Sequence, residues 1–170
     1  MQPPASDFAA ILRVLHDHKV RFIVVGGIGA VLQGAPVTTF DLDIVHALSL
    51  ANCVRLAEAL ATIKACYRGH PKVLVPSASL LQSSGHHLLQ TEHGPLDVLG
   101  AVGRDRGYRE LSRYARTLIV QPGLRVRVVP LSWLIKLKEE TARGKDHAVL
   151  PILRGTLAEQ ERARRRKPST

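Results

Sequence analysis

The chain has 170 residues, with Lys+Arg 24 against Asp+Glu 14 and a formal charge of +10 at neutral pH. That length suits one compact domain that buries enough surface to fold without a disulfide or metal staple. With 45% hydrophobic and 22% charged residues the composition is that of a globular protein, which excludes wholesale disorder. No apolar run approaches the roughly 20 residues needed to cross a bilayer. The opening MQPPASDFAAILRVLHDHK lacks the basic start of a signal peptide. Cys53 and Cys66 have no CxxC spacing and read as small buried hydrophobes in a reducing compartment, so a cytoplasmic location is expected. The positive balance suits a polyanionic partner such as a nucleic acid or a triphosphate. Part of it is local: Arg162, Arg164, Arg165, Arg166 and Lys167 form a basic run that reads either as a solvated tail or as a phosphate-backbone contact.

Taken in chain order, segments of helical and strand period alternate, which predicts an α/β (α+β) domain over residues 1–160 followed by a basic tail at 161–170. Phe8, Ile11, Leu12 and Leu15 have helical spacing within 6–19, with Ser6 or Asp7 as the cap. Arg21–Val25 is an apolar β-branched run that ends in Gly26-Gly27, a buried strand entering a tight turn. A short helix over 28–33 is closed by Gly34. Phe40–His46 has strand period, and Ser49 caps a helix to about Cys66. From Tyr67 to Ser84 the pattern weakens, with a short helix after Ser77. Strands at His86–Thr91 and Pro95–Leu99 flank a turn, and Thr117–Val120 and Leu124–Val129 form a hairpin around Gln121-Pro122-Gly123. Ser132 caps an amphipathic helix to about Ala142, and a last helical stretch over 146–164 must be kinked or split by Pro151.

The chemistry concentrates in three places. Asp41 and Asp43 stand two apart on a predicted strand, so they project from one face with Cα atoms roughly 7 Å apart. Carboxylates that close repel unless a cation sits between them, and hard oxygen ligands favour Mg²⁺ or Mn²⁺. Glycines at Gly26 and Gly27, between a strand and a helix, let backbone amides approach phosphate. Asp97 is a lone acid inside the apolar run Pro95–Leu99, where an unpaired charge is costly. A neighbouring strand would bring it beside the other two acids. Three carboxylates around one or two cations suit phosphoryl transfer.

The dinucleotide fingerprint G-x-G-x-x-G is excluded: Leu32 stands at its third glycine, and the acids come about 14 residues on, as a pair, instead of about 20. His86, His87 and His93 lack zinc spacing. Ser83 and Ser84 have no nucleophile elbow, and the few aromatics offer no stacking platform for single strands.

The pattern hhGGxxAxxxG…T-x-D-x-D-h, then h-D-h, then a basic helix, resembles the minimal nucleotidyltransferases of the DNA polymerase beta superfamily, and within it the AbiEii-type toxin-like branch. The resemblance covers roughly residues 20–47, 92–100 and 126–150. It implies a mixed central sheet flanked by helices. By position, Gly26 and Gly27 match the phosphate-cradling turn, Thr39 the motif threonine, Asp41 and Asp43 the metal-binding pair, and Asp97 the third carboxylate. Lys136 or Lys138 would face the nucleotide, and Lys145 matches the lysine of a late Lys-Asp pair. The implied activity is Mg²⁺- or Mn²⁺-dependent transfer of NMP from an NTP to a hydroxyl. RNA or tRNA is favoured as acceptor by the positive charge, with a protein as the alternative. A cognate antitoxin is an implied partner. Three positions depart from the pattern: Val37 replaces a common arginine, Gly27 a common serine, and Pro151 interrupts the last helix. Gly27 is shared with the AbiEii-like branch; Val37 and Pro151 leave a second reading open, a non-catalytic nucleotide-binding regulatory or antitoxin-like module.

Overall fold

The computed structural model describes residues 6–141 and 144–166, the side chains of 144–146 excepted. Helix α1 (Phe8–Asp17) is capped by Asp7, whose carboxylate accepts from the Ala10 N–H at 2.9 Å. Strand β1 (Phe22–Val25) leads into α2 (Gly26–Val31), so the glycine pair opens the helix instead of preceding it. Strand β2 (Leu42–His46) and α3 (Leu50–Thr62) follow. The predicted α3 ran on to Cys66; it stops because Lys64 turns left-handed (φ 52) and the Ala65 N–H bonds back to the Leu60 carbonyl. Cys66 thereby falls in a short strand, β3 (Cys66–Tyr67).

Helix α4 (Ala78–Leu81) begins at Ser77, as expected, with the serine oxygen accepting from the Leu80 N–H. Strands β4 (His86–Thr91) and β5 (Gly94–Leu99) come next. A two-strand ribbon, β6 (Ala101–Val102) and β7 (Arg106–Gly107), and helix α5 (Tyr108–Leu111) fill a stretch that carried no readable period. The hairpin β8 (Arg116–Gln121) and β9 (Leu124–Val128) forms as predicted.

Helix α6 (Leu131–Thr141) does not start at Ser132: its first turn is built on the Pro130 carbonyl, and the Leu131 N–H is held by Gln33 Oε1 at 3.1 Å. Helix α7 (Gly144–Arg166) is continuous through Pro151, so of the kink or split expected there the split does not occur, and the basic run is helical as far as Arg166. Pro151 is the eighth residue of the helix, past the first turn, so it lacks the N–H that would bond to the carbonyl four residues back, and the helix runs on with that one bond missing.

Seven strands form one mixed sheet in the order β3-β4-β5-β2-β1-β9-β8. β2 runs parallel to β5 and antiparallel to β1, which is itself parallel to β9. Alternation divides the core between two faces. Val24, Ile44 and Val98 point to the side packed by α1 and α3. Ile23, Val25, Val45 and Leu99 point to the side packed by α6 and α7. Asp43 and Asp97, two residues from Val45 and Leu99, share that second face.

Candidate active site

The acids converge because register and parity agree. Asp43 of β2 is the direct partner of Asp97 on parallel β5, and adjacent strands lie about 4.8 Å apart. Asp41 sits in the bend just before β2 and joins them; oxygens of Asp41, Asp43 and Asp97 all lie within 4.8 Å of one another. The expected strand began at Phe40; the observed one begins at Leu42, and the bend still carries Asp41 to the same place. Thr39 holds that bend, its hydroxyl donating to the Asp41 carbonyl at 3.1 Å and reaching the Asp41 carboxylate at 3.3 Å.

Electrostatics at the triad are unfavourable without a counter-charge. Burial, then the charges of Asp41 and Asp97, push the Asp43 carboxyl up to about 7, with Lys138 and Arg68 acting in the opposite direction. Burial also raises Asp97, against the lowering influence of Arg68. The Asp97 side chain is 13% exposed and forms an ion pair with the Arg68 guanidinium. Arg68 follows β3, where its backbone N–H bonds to the Leu88 carbonyl. From that edge its side chain reaches across β4 to β5.

The glycine turn closes against the acids. Gly26 has φ +63, and a Cβ there would stand 2.1 Å from Asp43 Oδ2. A Cβ on Gly27 would meet Thr39 Cβ and Oγ1 at 2.6 Å, which accounts for glycine where the resemblance leads one to expect serine. A cleft of about 390 Å³ is lined by Gly26, Gly27, Val37, Thr39, Asp41, Asp43 and Lys138. A second cavity of about 170 Å³ shares Gly26, Asp43 and Lys138 with it.

The structure thus brings Gly26, Gly27, Thr39, Asp41, Asp43, Asp97 and Lys138 together. Lys136 is turned away, its ammonium 4.5 Å from the centre of the Trp133 ring. Residues two apart on a helix face different sides, so only one of the two lysines can address the cleft. The Lys145 side chain lies outside the described residues. Three hard oxygen donors, one of them a carboxyl that burial and then its two acidic neighbours push up to about 7, fit a divalent cation such as Mg²⁺ or Mn²⁺.

No protein-family model matches the sequence. No curated protein matches it either. Solved structures do match in shape, two of them as follows. One is a Thermotoga maritima protein, TM1012, provisionally designated a nucleotidyltransferase: TM-score 0.52, 19% identity, 92% of this chain and 88% of that one. The other is the lincosamide antibiotic adenylyltransferase LnuA with lincomycin bound: TM-score 0.60, 14% identity, 88% of this chain and 95% of that one. The chain has the nucleotidyltransferase fold.

Within that fold, Val37 lines the cleft and packs against the α6–α7 core, so an apolar side chain stands where the resemblance leads one to expect arginine. Sequence reasoning missed Arg68 altogether. Its only signal was a lone arginine after Cys66-Tyr67, in a stretch too short to show strand period.

Proposed function

We propose that the protein is a divalent-cation-dependent nucleotidyltransferase that moves NMP from an NTP to a hydroxyl acceptor. The observation that carries the reading is the convergence of three carboxylates within 4.8 Å, against a left-handed glycine whose Cβ would collide with one of them. In this reading Asp41, Asp43 and Asp97 hold Mg²⁺ or Mn²⁺, which supplies neutralisation of the charge on the transferring phosphate. The Gly26–Gly27 backbone and Lys138 take the triphosphate; Thr39 fixes Asp41. Asp97 accepts the proton of the acceptor hydroxyl as its oxygen bonds the α-phosphorus, and the bond from that phosphorus to pyrophosphate breaks.

The net charge of +10 supports RNA or tRNA as acceptor over a protein or a small molecule, the last being what LnuA's lincosamide illustrates. Glycine at 27, as in the AbiEii-like branch, supports a toxin-type role with a cognate antitoxin. The test is transfer of label from α-labelled NTPs to total RNA in the presence of Mg²⁺. The expected result is transfer by the native protein and a loss of about two orders of magnitude or more in Asp43→Asn. Unchanged transfer by Asp43→Asn overturns the mechanism.

A second reading rests on the Arg68–Asp97 ion pair and on Val37: a nucleotide-binding regulatory or antitoxin-like module without turnover. Calorimetric NTP binding with Mg²⁺, and no label transfer to any acceptor in RNA or lysate, is the outcome that favours it.

A further inference from the structure

At the end of the sheet opposite the acids, two adjoining grooves of about 460 and 330 Å³ share Arg21 and Tyr108. β1 fixes the separation: Val25 pairs with Asp43 at one end and Phe22 with His46 at the other, roughly 10 Å apart by strand rise. One groove adds Arg109, and the other His16, Lys19, Arg125 and Arg127; no carboxylate lines either. Among the described residues, Lys19, Arg21, Arg109, Arg125 and Arg127 form no ion pair, and Arg127 donates to the Ser112 carbonyl. This concentration of cations is not a requirement of folding, because none of them neutralises a buried acid.

The cations stand on fixed backbone. Asn52, fully buried, accepts from the Arg21 N–H at 2.7 Å and donates to the Arg21 and Ala47 carbonyls. Arg55 donates to the Lys19 carbonyl. The Arg21 guanidinium lies over the Tyr108 ring, 5.3 Å from its centre, so the ring helps to hold the cation in place. No large hydrophobic side chain lining the grooves is among the exposed ones. A protein interface needs an apolar or aromatic core within its polar rim, whereas a phosphodiester backbone needs cations and tolerates a wet surface.

We propose that this face is a docking surface for the phosphate backbone of RNA, separate from the triad, with Arg21, Arg109, Arg125, Arg127 and Lys19 on the phosphates. The proposal rests on the transferase reading only for the purpose of the bound RNA, which is to hold the acceptor's body near the site. Binding itself is independent of turnover.

The experiment is fluorescence anisotropy of the full chain with a short labelled RNA, titrated at several salt concentrations from about 50 to 200 mM. Arg21→Ala/Arg125→Ala is compared with Arg162→Ala/Arg164→Ala, and the thermal midpoint of each verifies folding. The expected result is a loss of about tenfold or more in the first pair, with the salt slope shallower by about 0.7 per contact removed, and a smaller loss in the second. Three results overturn the proposal: no RNA binding by the native chain, a loss confined to the α7 variant, or poly-glutamate binding this face as tightly as RNA. The last assigns the face to an acidic protein. Stabilisation of the same samples by Mn²⁺ reads the triad separately, so failure here and failure of the transferase reading are told apart.

Discussion

Asp43 is held at a cost. Its carboxyl, pushed up to about 7, binds a proton more tightly in the folded chain than in the unfolded one, where about 3.9 is usual. The folded state therefore carries the extra proton between about pH 4 and 7, and the metal-free protein loses stability from this group as pH rises through that window. A cation reverses the sign by displacing the proton. Asp43→Asn is thus expected to raise the thermal midpoint of the metal-free protein by roughly 3 °C or more at pH 8 and by less at pH 5. Stabilisation by Mn²⁺ is lost in the same variant. Arg68 puts a positive charge on Asp97, so Arg68→Ala is expected to tighten Mn²⁺ binding by about fivefold or more, read by electron paramagnetic resonance. Equal midpoints for Asp43→Asn and the native chain, or weaker Mn²⁺ binding by Arg68→Ala, contradicts this electrostatic account. The acids were legible in sequence because charge inside an apolar strand is costly and so stands out. Arg68 was not, because its partner lies two strands away.

At the scale of elements, α6 carries Lys138 to the cleft, and its start is set by one glutamine. Gln33 Nε2 donates to the Gly29 and Val129 carbonyls at 2.8 and 2.9 Å, and its Oε1 receives the Leu131 N–H. The Gln33 carbonyl accepts from Gln160 of α7 at 2.6 Å. Gln33→Ala leaves the Val129 carbonyl and the Leu131 N–H without their partner, a cost of about 2–3 kcal/mol. A fall of roughly 5 °C or more in the thermal midpoint is expected in scanning calorimetry; a fall under about 1 °C contradicts it. No local pattern announced this, which is why Ser132 read as the cap of α6. Long periodic elements such as α1, α3, β4 and the β8–β9 hairpin were legible from spacing and turn residues. β3, β6, β7 and α5 were not, since two to four residues cannot display a period and their place is set by neighbouring strands.

For the whole molecule, the sheet separates charge: carboxylates gather at one end of β1 and β2, and at the other stand cations that form no ion pair among the described residues. The alternation of helix and strand made the α/β class readable, whereas the strand order depends on long-range pairing that no local pattern records. The order builds the acidic site, because the β2–β5 neighbourhood places Asp97 beside Asp43. No helix among the described residues is long and apolar enough to cross a membrane. The central claim is that three aspartates on this sheet share a cation beside the glycine turn. Anomalous scattering from crystals grown with Mn²⁺ and a non-hydrolysable NTP tests it most directly. The account predicts a manganese peak bounded by Asp41, Asp43 and Asp97, with the triphosphate against Gly26 and Gly27. A nucleotide bound elsewhere, or no peak at the triad with Arg68 still paired to Asp97, contradicts it.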